Sequence, residues 1–125
     1  MNKAKLIGIA PQVVVIDVTR TAVYYRDILG FTIIGLVAEP PVYAMVERDG
    51  FQVHFAKSDT ENIKINKDYR SIGHDFIIWV PEIDDFFDEL KSKNVKIIEG
   101  IVKRTYGSRE FVIEDCDGHR ILIGD

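Results

Sequence analysis

Apolar and polar positions along this chain follow two different periods, and the order of those periods is repeated. Residues 14 to 55 read as an apolar strand, an amphipathic helix, a second apolar strand and two strands joined by Asp49-Gly50. Residues 77 to 123 run through the same order, with the last two strands joined by Asp117-Gly118. In the first predicted helix, TRTAVYYRDILG, the residues Ala22, Tyr25, Ile28 and Leu29 form one stripe, and Gly30 is the stop. In the second, PEIDDFFDELKSKN, the residues Ile83, Phe86, Phe87 and Leu90 fall at i, i+3, i+4 and i+7, the spacing of a buried face. Pro81 suits the first turn of that helix. Glu82, Asp84 and Asp85 at its start and Lys91 and Lys93 at its end complement the helix dipole. Val13 to Val18, short, β-branched and bounded by Pro11 and Thr19, predicts a fully buried strand.

The repeat predicts an α+β fold of two βαβββ modules related by a pseudo-twofold axis, with curved, barrel-like sheets around a central cavity and the helices outside. We place module one at about residues 6–58, a polar link at about 59–72 and module two at about 73–125, all within a single domain spanning 1–125. The link is a candidate mobile edge of the cavity. Residues 101–109 read as a second loop, turning at Tyr106-Gly107-Ser108.

The length of 125 residues fits one domain, and 46% hydrophobic content argues against disorder. A net charge of −4 argues against nucleic acid as a partner, because phosphate binding wants a basic face. The lone Cys116 has no partner for an intramolecular disulfide, which fits a reducing cytoplasm. The apolar N-terminal run is broken by Pro11 and Gln12 and is too short to span a bilayer, so no membrane partner is expected. No Gly-x-Ser-x-Gly elbow, phosphate-binding glycine loop or Cys-x-x-Cys pair is present. Glu114, Asp115 and Asp117 read as a solvated acidic turn. With only Arg120 as a basic neighbour in sequence, Cys116 is not expected to have a depressed thiol pKa.

Two segments carry a resemblance to a known family. VIDVTRTAVYYRDILGF resembles the opening strand-helix-strand passage of the glyoxalase, bleomycin-resistance and extradiol-dioxygenase (vicinal oxygen chelate) superfamily, and YGSREFVIEDCDGHRILI resembles its closing signature. Cys116 stands where the family usually has proline. The resemblance implies paired βαβββ modules, dimers whose clefts are built partly by both chains and, in the enzymes, a divalent metal held by up to four symmetrically placed residues. Arg109 matches the family's arginine, and we read it as structural, pairing with a loop carboxylate.

Carried onto this chain, those four metal positions are Ala10, His54, Asp75 and Leu122. Two have no donor atom, and His74 lies on the opposite strand face from Asp75. The usual metal site is therefore expected to be absent, with His54 and Asp75 as weak metal candidates only. Alternation instead points Gln12, Gln52, His54, Asp75 and Trp79 into the cup as ligand-binding candidates, with Tyr106 at its rim. A plain structural hydrogen bond between His54 and Asp75 is the competing reading of those two residues.

The leading functional expectation is a metal-free, cofactor-free homodimer that sequesters a small organic ligand such as an antibiotic or toxin. The alternative is a metal-dependent lyase, isomerase or dioxygenase with an atypical site. A third possibility is a regulatory module whose cup is packed shut by Trp79 and Tyr43.

Overall fold

The computed structural model describes residues 2–125. Each predicted repeat becomes a four-stranded sheet with one helix against it. The first module contains β1 (Gln12–Val15), α1 (Val18–Asp27), β2 (Thr32–Val37), β3 (Tyr43–Arg48) and β4 (Phe51–Lys57). The second contains β5 (Phe76–Trp79), α2 (Ile83–Ser92), β6 (Lys96–Lys103), β7 (Arg109–Glu114) and β8 (Arg120–Gly124). The strand orders are β1-β4-β3-β2 and β5-β8-β7-β6, so the repeat is topological as well as sequential. In each sheet the first strand runs parallel to the last, and the remaining pairs are antiparallel. The two sheets are separate and do not close into one barrel.

Alternation along the strands sends one set of side chains under the helices. Val13, Val15, Ala44, Val46, Val53 and Phe55 meet Ala22 and Tyr25 of α1; Phe111, Ile113, Ile121 and Ile123 form the matching layer with Ile83, Phe86 and Leu90 of α2. The Tyr25 ring lies 4.7 Å from that of Phe55 and 5.6 Å from that of Phe31. Loss of one such buried ring costs about 3–5 kcal/mol in comparable cores.

Helix α1 starts at Asp17, whose carboxylate accepts the Arg20 N–H at 3.1 Å, and it ends before Gly30, whose φ of +77° suits glycine. Arg48 ties the modules together. Its guanidinium donates to Leu29 O at 2.7 Å and to both oxygens of Glu89 on α2, and it lies over the Phe86 ring.

Three sequence expectations are corrected. The first strand is buried on one face only, because Val14 and Ile16 lie exposed on the face away from α1. β6 continues to Lys103 through two irregularities in its pairing, so the loop is confined to residues 104–108. Arg109 pairs with Asp84 on α2 and with Asp125, not with a loop carboxylate. Among the described residues, no helix is long and apolar enough to cross a membrane.

Candidate functional site

The strand faces turned away from the helices carry most of the candidate residues, and the first sheet gathers three of them. Parallel pairing sets Gln12 of β1 opposite His54 of β4, while antiparallel pairing sets His54 opposite Met45 of β3. Gln52 lies two residues before His54, on the same face. Tyr43, expected only as a residue that could pack the cup shut, joins them all. Its hydroxyl lies 2.7 Å from His54 Nδ1 and 3.1 Å from Gln12 Nε2, and His54 Nε2 lies 2.8 Å from Gln52 Oε1. The Tyr43 and His54 rings meet edge to face at 5.5 Å. The signal for Tyr43 was present in the hairpin register, which brings the start of β3 to the end of β4; β3 could not be registered from sequence alone. An open surface hollow of about 600 Å³ adjoins this group, bordered by the exposed Ile7, Ile9 and Phe51 and by Ala10, with Gln52 and His54 as its polar side.

The remaining candidates belong to the second module and stay apart from His54. Each oxygen of Asp75 accepts a backbone N–H, from Asn66 at 3.0 Å and from Arg120 at 2.9 Å, fastening the inter-module link to the end of β8. The structural hydrogen bond between His54 and Asp75 is therefore not formed; each has other partners. Trp79 is 69% exposed on the open face of β5 and packs nothing shut. Tyr106 donates to Glu110 at 2.6 Å, and Arg104 bridges Glu110 and Glu99 on the same sheet. The phenol of Tyr106 is held up chiefly by that hydrogen bond to Glu110.

The four positions implied for a divalent metal do not fit one. Ala10 and Leu122 offer no donor, both His54 nitrogens are hydrogen-bonded, and both Asp75 oxygens hold backbone amides. Among the described residues, the donor-bearing side chains that do cluster lie elsewhere. Ligand atoms of Asp115, Asp117 and His119 are all within 4.8 Å of one another. Asp115 and Asp117 belong to the group read from sequence, with Glu114, as a solvated turn, and the structure corrects that reading for them. Asp115 and His119 are buried, and helix α1 covers the turn. Tyr25 donates to Asp115 at 2.7 Å, Thr21 to Asp117 at 2.5 Å and Arg20 to Asp117 at 3.3 Å. The backbone N–H groups of Asp117 and His119 fill the other Asp115 oxygen. Burial, then the Asp115 charge, pushes the Tyr25 phenol well above its ordinary pKa. Burial and the Asp117 carboxylate push the Cys116 thiol up to about 12, so this thiol stays protonated and unreactive. The cluster's visible work is to clip the β7–β8 turn to α1, joining the two segments that carry the family resemblance.

Comparisons with known proteins agree with this architecture. The family model described as Glyoxalase/Bleomycin resistance protein/Dioxygenase superfamily matches residues 8–123. Among solved structures, a glyoxalase-related enzyme from Clostridium phytofermentans superimposes with a TM-score of 0.78 at 19% identity, covering 99% of this chain and 98% of that one. A superfamily member from Sphaerobacter thermophilus gives 0.77 at 16% identity, covering 96% and 97%. TioX from Micromonospora sp. ML1 gives 0.74 at 15% identity, covering 94% and 96%. At such identities these structures speak for the fold alone. No curated protein sequence matches the chain. With a family model spanning nearly its whole length and the paired four-stranded modules in place, the chain belongs to the glyoxalase/bleomycin resistance protein/dioxygenase superfamily.

Proposed function

We propose that this protein captures a small organic ligand without using a metal, and that it does so as a homodimer. The observation that carries the proposal is the state of His54, the one histidine at a family metal position. Both of its ring nitrogens are engaged by Tyr43 and Gln52, so it serves as part of a polar wall and not as a free ligand to a cation. Apolar surface around a few polar groups is what a binding site needs, and the open hollow beside His54 has that composition. Capture makes and breaks no bond. Antibiotic or toxin sequestration is the physiological role we infer, and the cytoplasm is the compartment that best suits the unpaired Cys116.

Dimerisation is supported by apolar surface with nothing over it. Leu6, Ile7 and Ile9 are 85%, 99% and 94% exposed on the segment before β1. The open faces of the edge strands add Val14 on β1 and Ile77 and Trp79 on β5, with Ile16 just beyond β1. Setting the first sheet of one copy against the second sheet of its partner would cover both and complete the cup.

The test is a thermal-shift screen of small organic molecules in the presence of EDTA, with bound molecules recovered and weighed by mass spectrometry. Hits that raise the midpoint despite the chelator and return unchanged are expected, at one site per protomer. Conversion of a hit to product, or shifts abolished by EDTA, would instead favour the metal-dependent lyase or dioxygenase reading.

A further inference from the structure

Strand β1 stops pairing with β4 at a place where one residue forbids the next bond. In this parallel ladder His54 donates its N–H to Pro11 O at 3.0 Å, and further along Ser58 donates to Val15 O at 2.7 Å. With Gln12 opposite His54, one more step toward the N-terminus would set Ala10 opposite Gln52. That step needs two bonds, from the N–H of residue 11 to Gln52 O and from Gln52 N–H to Ile9 O. Pro11 has no N–H, so the first cannot form. Among the described residues the second is not made either. Ile9 and Ala10 carry no turn chemistry of their own that would end the strand. Residues 2–11 instead belong to no strand, and the gap beside β4 is the hollow bordered by Ile7 to Ala10 and by Gly50 to Gln52.

The second module shows the same edge closed. Ile77 pairs with Leu122 as Gln12 pairs with His54, so Asp75 corresponds to Ala10 and Arg120 to Gln52. There the N–H of Asp75 donates to Arg120 O at 2.7 Å, and its carboxylate accepts Arg120 N–H at 2.9 Å. One residue thus caps both main-chain groups of Arg120. Alternation turns the main-chain groups of Gln52 to the same side as those of His54, away from β3, and Ala10 has no side-chain acceptor with which to cap them.

From this difference between the modules we propose that Pro11 is a positioning residue of the binding site. By withholding one N–H it stops the β1–β4 ladder and holds open the hollow beside His54, where the equivalent edge of the second module is sealed. The use of the hollow rests on the ligand-capture reading above. The ladder stop itself depends on no ligand.

Pro11→Ala supplies the missing N–H, and amide exchange with nuclear Overhauser contacts in the full chain reads the result without any ligand. In the wild type the Gln52 amide is expected to exchange freely while that of His54 is protected. In the variant Gln52 is expected to exchange at least about tenfold more slowly, with a new contact between Ala10 and Gln52. A general loosening by the substitution would speed exchange, so gained protection separates the two causes. N-phenylnaphthylamine, a neutral apolar dye, then probes the hollow. It is expected to move the Gln52 and His54 amide signals of the wild type and to leave those of the variant in place. Unchanged exchange at Gln52 in the variant, equal dye shifts in both proteins, or dye shifts in neither would overturn the inference. If the screen under EDTA returns no ligand while Pro11→Ala slows Gln52 and excludes the dye, ligand capture falls and the role of Pro11 stands.

Discussion

Asp115 shows how much one buried carboxylate can organise. It accepts from the Tyr25 hydroxyl and from two backbone N–H groups, and it lies 3.5 Å from Nδ1 of His119, itself only 2% exposed. Burial alone would pull the His119 imidazole down, but the Asp115 carboxylate, with Asp75 and Asp117 beyond it, outweighs burial and holds the pKa above 6.5. A folded-state pKa above the unfolded one stabilises fully below the unfolded value and loses that contribution as pH rises through the folded value. The thermal midpoint of the wild type relative to His119→Gln should therefore fall as pH rises above the ordinary imidazole value of about 6.5. A constant difference above that value would remove the charged pair from the account. None of this was legible in the sequence, where Asp115 and Asp117 looked like an ordinary solvated turn. Their partner Tyr25 is 90 positions away, and only the docking of α1 brings it there.

Elements were easier to read than contacts. Both helices were legible because each repeats its apolar residues at helical spacing, with Gly30 as the stop of the first and dipole-matched charges at the two ends of the second. The hairpins were legible from Asp49-Gly50 and Asp117-Gly118, whose glycines have φ of +86° and +89°. β1 was misjudged because a continuous β-branched run looks the same whether one face or two are covered. The uncovered face is itself informative, since it continues the exposed apolar surface of Leu6, Ile7 and Ile9. Replacing these three residues by serine should weaken the proposed dimer without unfolding the chain, as they contribute nothing to the core. Sedimentation velocity over a concentration series checks this. A wild type that remains at 14.3 kDa throughout, or a variant that dimerises equally well, would exclude the segment as part of an interface.

At the scale of the whole molecule, the duplicated βαβββ plan was legible almost completely, because the two halves repeat in order, turn chemistry and family signature. The candidate site was legible only in part. Alternation correctly placed Gln12, Gln52 and His54 on one face, but it could not show that Tyr43 joins them or that Asp75 is spent on holding the link. It also could not show that the two sheets of one chain stay apart. Those facts depend on strand registers and loop paths that no local pattern encodes. The account's central claim is that a metalloenzyme scaffold is used here for capture, with its one metal-position histidine turned to hydrogen bonding. Metal analysis tests it most directly: the protein is incubated with zinc, nickel, manganese and ferrous iron, dialysed, and compared with His54→Ala. We predict no stoichiometric retention that depends on His54. Near-stoichiometric metal that the substitution abolishes would contradict the claim and restore a lyase or dioxygenase site.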